Sequence, residues 1–346
     1  MTEVVQLIPS FARYDAVGSF TRELDQLLDE MGYRTRIVAD EALPGVESLA
    51  VPFSRFKLRP RGRRVIIYQA STTSRMASWL QNRDERLILS YHNITPWRQV
   101  SSFEPGVAKA LKQARGEVGR LSLRTPMAFT FSHFNRRDLA RLGYQKVKVL
   151  PPLISLANFE RPKRPSGGRW LFVGRVFPSK NQLLLLTALK AYRAAYDDQA
   201  TLTIVGSPAS TRYQELLVSA IDRLGLADAV SLKSNLTAAE LDAEWKAASL
   251  FVSASLHEGY GFPLVEAMAS GIPVVALCRG AVGETVGKAG VLVHEATPEA
   301  MAAGCHLASG ALAGELIDRG RERVAQLFDR NSLHRYYREM LAKAID

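Results

Sequence analysis

Glu258 and Glu266 stand eight positions apart, with Gly259-Tyr260-Gly261-Phe262-Pro263-Leu264 between them. The apolar run from Leu250 to Ser253 predicts a strand leading into this stretch. Gly259 and Gly261 permit a backbone that a side chain would block. Pro263 suits a first helical position, and Gly271 with Pro273 suits a stop, which predicts a helix over 263–270. Such a helix aims its N-terminus at the glycine turn, and free amides with the helix dipole favour an anion there. Carboxylates repel a bare phosphate, so the two glutamates should face hydroxyls, from which a carboxylate accepts paired hydrogen bonds. A ligand with sugar hydroxyls on both sides of a pyrophosphate, a nucleotide sugar, satisfies both demands. The plain alternative is a strand, a turn and a helix carrying two solvated glutamates.

Two cations stand at a comparable place. Trp170 to Val173 predicts a strand, and Gly174-Arg175-Val176-Phe177-Pro178-Ser179-Lys180 follows it. Arg175 and Lys180 flanking a loop at a strand's carboxyl end would neutralise a pyrophosphate and stabilise it as a leaving group. Gly206, closing the strand Thr201 to Val205, would admit a nucleotide close to the backbone. His92 ends the strand Leu87 to Tyr91, at the edge where ligands bind in open α/β sheets. By itself it reads as a histidine packed at a domain rim.

The elements that must hold these residues repeat one pattern twice. Val4 to Ile8 predicts a strand, and Phe20, Leu24, Leu27, Leu28 and Met31 recur at helical spacing before a second strand at Arg36 to Ala39. Between the first strand and its helix lies a loop over 9–18 that includes Asp15-Ala16-Val17-Gly18. Strand, loop, helix, strand is the opening of a doubly wound α/β unit. Proline and glycine density from Pro151-Pro152 to Gly167-Gly168 marks a boundary. The expected division is an N-terminal domain over 1–155, a C-terminal domain over 156–325, and a last helix over 326–346. Ser132 and Thr237 are expected helix caps, and Arg279 to Glu284 reads as a flexible rim.

The stretch from Glu258 to Val274 resembles the E-x7-E signature of retaining glycosyltransferases of family 4, which have the GT-B fold. The two glutamates have its spacing, and Gly259, Gly261, Phe262, Pro263, Ala267, Ala269, Gly271, Pro273 and Val274 match its pattern. Gly174-Arg175 with Lys180 is similar to the family's G-R-x4-K arrangement. The resemblance implies two Rossmann-like domains facing a cleft, a donor held on the second, and an acceptor held on the first. It implies that Glu258 orients donor sugar hydroxyls, that Glu266 binds the ribose, and that Tyr260 and Leu264 lie in the donor turn. It further implies His92 beside the donor sugar, Lys233 beside the nucleobase, and Gly18 approaching the pyrophosphate, although the paired glycines common in the family are reduced here to one. No Asp-x-Asp motif is present, so no metal and no cofactor are expected. Tyr91 to Pro96 and Asp15 to Gly18 are similar to stretches of bacterial polysaccharide and lipid-glycan transferases. The function expected is transfer of a hexose, from a GDP- or UDP-linked and mannose-like donor, to a glycan or lipid-linked acceptor. The competing readings are a catalytically silent nucleotide-binding or scaffold protein on the same fold, a nucleic-acid binder, and a phosphorylase with pyridoxal phosphate. Intact Glu258, Glu266, Arg175 and Lys180 argue against the first, sparse aromatics in the basic loop against the second, and the want of a marked cofactor lysine against the third.

Bulk properties bound the setting. The 346 residues suffice for two domains of about 150 residues. No run approaches the roughly 18 apolar residues of a membrane span. The N-terminus carries Glu3 and no basic lead, unlike a signal peptide. Cys278 and Cys305 fit a reducing cytoplasm. The net charge of +11 is unevenly placed: residues 1–150 hold 24 Lys and Arg against 14 Asp and Glu, and residues 151–346 hold 21 against 20. The basic half, through residues 52–64 and the helix expected over 104–124, is expected to meet an anionic membrane surface at the inner face rather than nucleic acid. Flotation with anionic vesicles is expected to carry the protein upward at low salt and to release it at high salt.

Overall fold

A computed structural model describes residues 2–12, 15–43, 45–58, 63–154, 156 and 168–345. The chain forms two units: Met1–Trp97, Gly106–Ile154 and Leu327–Asp346 in the first, Arg98–Pro105 and Ser155–Gln326 in the second. Most of the expected proline- and glycine-rich linker, and positions 59–62 of the basic loop, lie outside the described residues.

The first unit carries β1 (Glu3–Phe11), α1 (Ala16–Glu30), β2 (Arg34–Ala42), β3 (Val51–Pro52), β4 (Arg64–Ala70), α2 (Arg75–Gln81), β5 (Arg86–Tyr91), α3 (Pro105–Leu121), β6 (Met127–Thr130), α4 (His133–Arg141) and β7 (Val147–Val149). All seven strands are parallel, in the order β3-β2-β1-β4-β5-β6-β7. Strands of such a sheet are covered on both faces and read as almost unbroken apolar runs. Val65, Ile66 and Ile67 of β4 are at most 1% exposed. Among the polar side chains that interrupt that pattern are Gln6 in β1 and Gln69 in β4, both fully buried. The sequence signals gave six strands here; β3, two residues long, is the seventh.

The second unit carries β8 (Arg169–Val173), α5 (Gln182–Ala195), β9 (Thr201–Val205), α6 (Thr211–Leu224), β10 (Val230–Lys233), α7 (Ala238–Ala247), β11 (Leu250–Ser253), α8 (Phe262–Ala269), β12 (Val274–Leu277), α9 (Val282–Val286), β13 (Gly290–Val293), α10 (Pro298–Ser309) and α11 (Ala313–Phe328). Its six parallel strands run β10-β9-β8-β11-β12-β13. The final helix, α12 (Arg330–Ile345), belongs to the first unit. Its Tyr337 is fully buried and donates to the Pro151 carbonyl at 3.0 Å.

The helix starts follow local chemistry. Ser132 accepts from the Asn135 amide at 3.1 Å at the head of α4, and Thr237 with Glu240 forms a reciprocal capping box on α7. The expected rim over 279–284 instead starts α9, because the Ala281 amide donates to the Glu258 carbonyl at 2.8 Å and fixes the turn.

Both sheets have a switch point, where the chain stops adding strands on one side and begins on the other. In the first sheet it falls between β1 and β4, in the second between β8 and β11. Loops leaving these strands diverge, so the carboxyl ends there leave a crevice in which α/β sheets hold ligands.

Trp170 anchors the second core. It is 1% exposed and meets Tyr192 edge-on at 5.0 Å between ring centres. Trp170→Ala is expected to lower unfolding free energy by about 3–5 kcal/mol, read as a fall in the denaturant midpoint.

Candidate functional site

The loops after β8 and β11 carry most of the residues singled out in the sequence, and they meet at the second switch point. The Leu256 amide donates to the Ser179 carbonyl at 2.8 Å. Beside that bond, Lys180 Nζ donates to Glu258 Oε1 at 2.5 Å, with 22% and 15% of the two side chains exposed. Two of the predicted residues thus form one ion pair. Lys180 closes a short 3-10 turn, and the left-handed Asn181 (φ 53°) then reverses the chain into α5.

Arg175 lies on the same loop and differs from Lys180. It is exposed and carries no ion pair among the described residues. Its carbonyl accepts from Gln182 Nε2 at 2.9 Å, and its guanidinium lies 5.7 Å from the Phe177 ring centre. Buried Gln182 therefore fixes the backbone while the charge remains in solvent.

The glycine turn and α8 complete the group. Gly261 adopts φ +90° as the N-cap, and α8 starts one residue earlier than the sequence pattern predicts, with Pro263 at its second position. That placement removes one amide, and the Leu264 amide donates to the Gly261 carbonyl at 3.0 Å. The helix end therefore has fewer free amide donors than the sequence pattern predicts. Tyr260 and Leu264 are buried, whereas Gly259, Phe262 and Pro263 are half-buried. The Tyr260 carbonyl accepts from the Thr285 hydroxyl at 2.5 Å. Gly280 has φ +64°, and a Cβ there would overlap the Glu258 backbone. A glycine therefore lets the next loop close over Glu258, a feature the sequence offered only as Arg279-Gly280.

Glu266 is half-buried on α8 and makes no hydrogen bond or ion pair among the described residues. Burial pushes its carboxyl up to about 7. A half-buried carboxyl without a partner among the described residues has oxygens available to hydroxyl donors.

Other expected donor contacts are occupied by the protein itself. A Cβ on Gly206 would overlap the Gly174 carbonyl, so the close approach of the β8 loop already requires a glycine there. Lys233 pairs with Glu244 at 2.6 Å, and its carbonyl accepts from the Gly206 amide at 2.8 Å. Its charge is therefore paired with a side chain of α7. In the first unit, Asp15 caps α1 by accepting from the Gly18 amide at 2.5 Å. A Cβ on Gly18 would also overlap the Ala12 carbonyl. The amide expected to meet a pyrophosphate is thus held by the cap, and helix begins where a longer loop was expected.

His92 sits at the carboxyl end of β5, half-buried, edge-on to Phe20 at 5.4 Å and Phe131 at 5.1 Å. Its Nε2 lies 2.7 Å from Gln69 Oε1 and 3.2 Å from Ser90 Oγ. Desolvation lowers its pKa to about 3, so the ring is neutral. Among the described residues no group of three His, Cys, Asp or Glu is placed to hold a metal ion. No single described helix is long and apolar enough to cross a membrane.

Comparison with known proteins bears on this arrangement. Residues 167–308, which include β8 to β13, match the family described as glycosyl transferases group 1. A D-inositol 3-phosphate glycosyltransferase of Thermobifida fusca is 36% identical over 231 residues, 61% of this chain and 53% of that protein. An MMP alpha-(1->4)-mannosyltransferase of Mycolicibacterium hassiacum is 37% identical over 118 residues, 33% of this chain and 29% of that protein. The chain thus spans about half the length, or less, of these curated relatives. The Anabaena protein Alr3699/HepE, solved in complex with UDP-glucose, superposes with a TM-score of 0.78 at 17% identity, over 98% of this chain and 99% of that one. That likeness shows the fold, the two Rossmann-like units of GT-B glycosyltransferases. The family match and the relatives support a glycosyltransferase.

The state of Glu266 makes a stability prediction. Its folded pKa lies above the unfolded value of 4.5, so the folded chain binds the extra proton. The protein is therefore expected to lose stability as pH rises from about 4.5 through 7, by roughly 2–3 kcal/mol from this group. Denaturant unfolding at pH 5 and pH 8 should show Glu266→Gln losing less stability over that interval than the parent chain.

Proposed function

We propose that the protein is a retaining hexosyltransferase of the family 4 type. It takes a hexose, mannose-like, from a GDP- or UDP-linked donor to a glycan or lipid-linked acceptor in cell-envelope polysaccharide synthesis. The observation that carries this reading is the pairing, at one switch point, of an exposed arginine without an ion pair and a lysine held on a carboxylate. A diphosphate needs the first, and a hydroxylated ring needs the second. The names of the two curated relatives, an inositol phosphate glycosyltransferase and a mannosyltransferase, support the reaction class and the lean toward mannose.

In this reading the donor diphosphate lies against Arg175 and the glycine turn. Glu258 accepts hydrogen bonds from the hexose hydroxyls, and Lys180 keeps its carboxylate ionised and aimed. Glu266 accepts from the ribose diol. The bond from anomeric carbon to phosphate oxygen breaks while the acceptor oxygen bonds the same face of that carbon. The acceptor proton passes to the departing phosphate oxygen, so no protein base is required. Arg175 contributes by stabilising charge that grows on the diphosphate, a preorganised effect. No metal ion enters this scheme. The basic first unit receives an anionic acceptor, at the cytoplasmic face of a membrane.

The test is a transfer assay with GDP-mannose, UDP-glucose and related donors on lipid-linked and free glycan acceptors, with the anomeric configuration of product read by NMR. Retention with one donor is expected; inversion, or no turnover of any donor despite nucleotide binding, overturns the reading. Arg175→Ala is expected to reduce kcat by about 100-fold or more, with a smaller effect from Arg175→Lys.

A further inference from the structure

The two buried glutamines of the first sheet straddle its switch point and lead to His92. Gln6 Nε2 lies 3.1 Å from the Thr21 carbonyl oxygen and 3.1 Å from Asp25 Oδ1. Gln69 Nε2 lies 2.8 Å from Gln6 Oε1. His92 Nε2 lies 2.7 Å from Gln69 Oε1. The chain crosses three neighbouring strands, from α1 through β1 and β4 to the end of β5.

The direction of this chain is forced at its far end. A backbone carbonyl can only accept, so Gln6 must present its amide nitrogen to Thr21 and its oxygen to Gln69. Gln69 must then present nitrogen to Gln6 and oxygen to His92. An amide oxygen at 2.7 Å demands an N–H. The Thr21 carbonyl, three hydrogen bonds away, thereby dictates which nitrogen of the imidazole carries the proton. Reversing either amide would set oxygen against oxygen in a fully buried place, where neither could find a donor.

We infer that Gln6 and Gln69 are positioning residues that hold His92 as the Nε2–H tautomer, so that its Nδ1 accepts a hydrogen bond from a substrate hydroxyl. This rests on the transferase reading for its substrate and on geometry alone for the tautomer. The surroundings of the ring favour its neutral form over an imidazolium. Among the described residues, Phe20 from α1, Gln69 from β4, Ser90 from β5 and Phe131 after β6 meet it, and these four are uncharged. The neutral state implied by its lowered pKa agrees. A hydroxyl donating to Nδ1 is oriented with its lone pairs turned away from the ring. For an acceptor hydroxyl that turns an oxygen lone pair toward the reacting carbon; for a donor hydroxyl it fixes the sugar ring. Either role concerns the reacting geometry more than ground-state affinity.

The experiment has two arms that fail separately. Long-range 1H–15N correlation spectra of the full chain, with imidazole 15N label and His92→Gln for assignment, report the tautomer without any assay of transfer. The expected result between pH 6 and 8 is a protonated Nε2 and a bare Nδ1, with no titration. An Nδ1–H tautomer, or a ring that titrates in this interval, overturns the inference. The second arm compares Gln69→Leu with Gln69→Glu. Leu removes the acceptor facing Nε2, whereas Glu retains one in either protonation state. Transfer by Gln69→Glu is expected within about threefold of the parent kcat, with Gln69→Leu lower by about 10-fold or more and donor KM within about twofold. A merely structural glutamine predicts the opposite ranking, since an apolar side chain suits a buried strand better than a carboxyl, and that ranking overturns the inference. Loss of transfer in the parent chain with the expected tautomer intact would sink the transferase reading and leave the positioning role standing.

Discussion

The ion pair of Lys180 with Glu258 is the constraint on which the second unit's site depends. It joins the loops leaving the two strands at which the sheet reverses its order. Without it, the carboxylate would stand half-buried beside the glycine turn, and the ammonium would swing on its flexible stem. Removing one partner of such a pair leaves an uncompensated charge in a place poor in water. The pair also cancels the carboxylate's charge locally. Arg175, exposed and outside the pair, is then the cation in surplus.

The two units treat buried polarity differently. In the second, charge is concentrated at the carboxyl edge of the sheet and tied down by short loops. In the first, neutral amides run through the sheet itself and reach the edge at His92. An ionised side chain could not lie in that sheet without a counter-charge, whereas a glutamine satisfies one donor and one acceptor in line. A largely apolar sheet thereby carries directional information to its edge.

The fold was legible because alternation of strands and helices is a coarse signal that survives errors at element ends. The glutamates, arginine and lysine were legible because glycine and proline fix where the loops turn. What the sequence hid were choices among partners. Nothing in the string around Lys233 announces Glu244, eleven positions on, as its counter-charge. Gly18 and Gly206 look the same in the sequence whether a glycine admits a ligand or a neighbouring carbonyl, and the close carbonyls of Ala12 and Gly174 become visible only in the fold. Gln6 and Gln69 could have been noticed as single polar residues inside apolar runs, but their link across a distance of 63 positions belongs to strand order alone.

Residues 98–105 lie between β5 and α3, elements of the first unit, yet they belong to the second. Phe103 meets Tyr213 edge-on at 5.3 Å, Arg212 donates to the Ser102 carbonyl, and Gln99 reaches the Leu256 carbonyl one step from the site loop. The polypeptide therefore passes from one unit to the other four times. A fragment starting at Ser155 would lack a piece of its own fold and would bare the face of Tyr213 that Phe103 covers. Autonomy of the second unit is consequently denied by threading rather than by affinity, and any severed or permuted version must bring that eight-residue loop along.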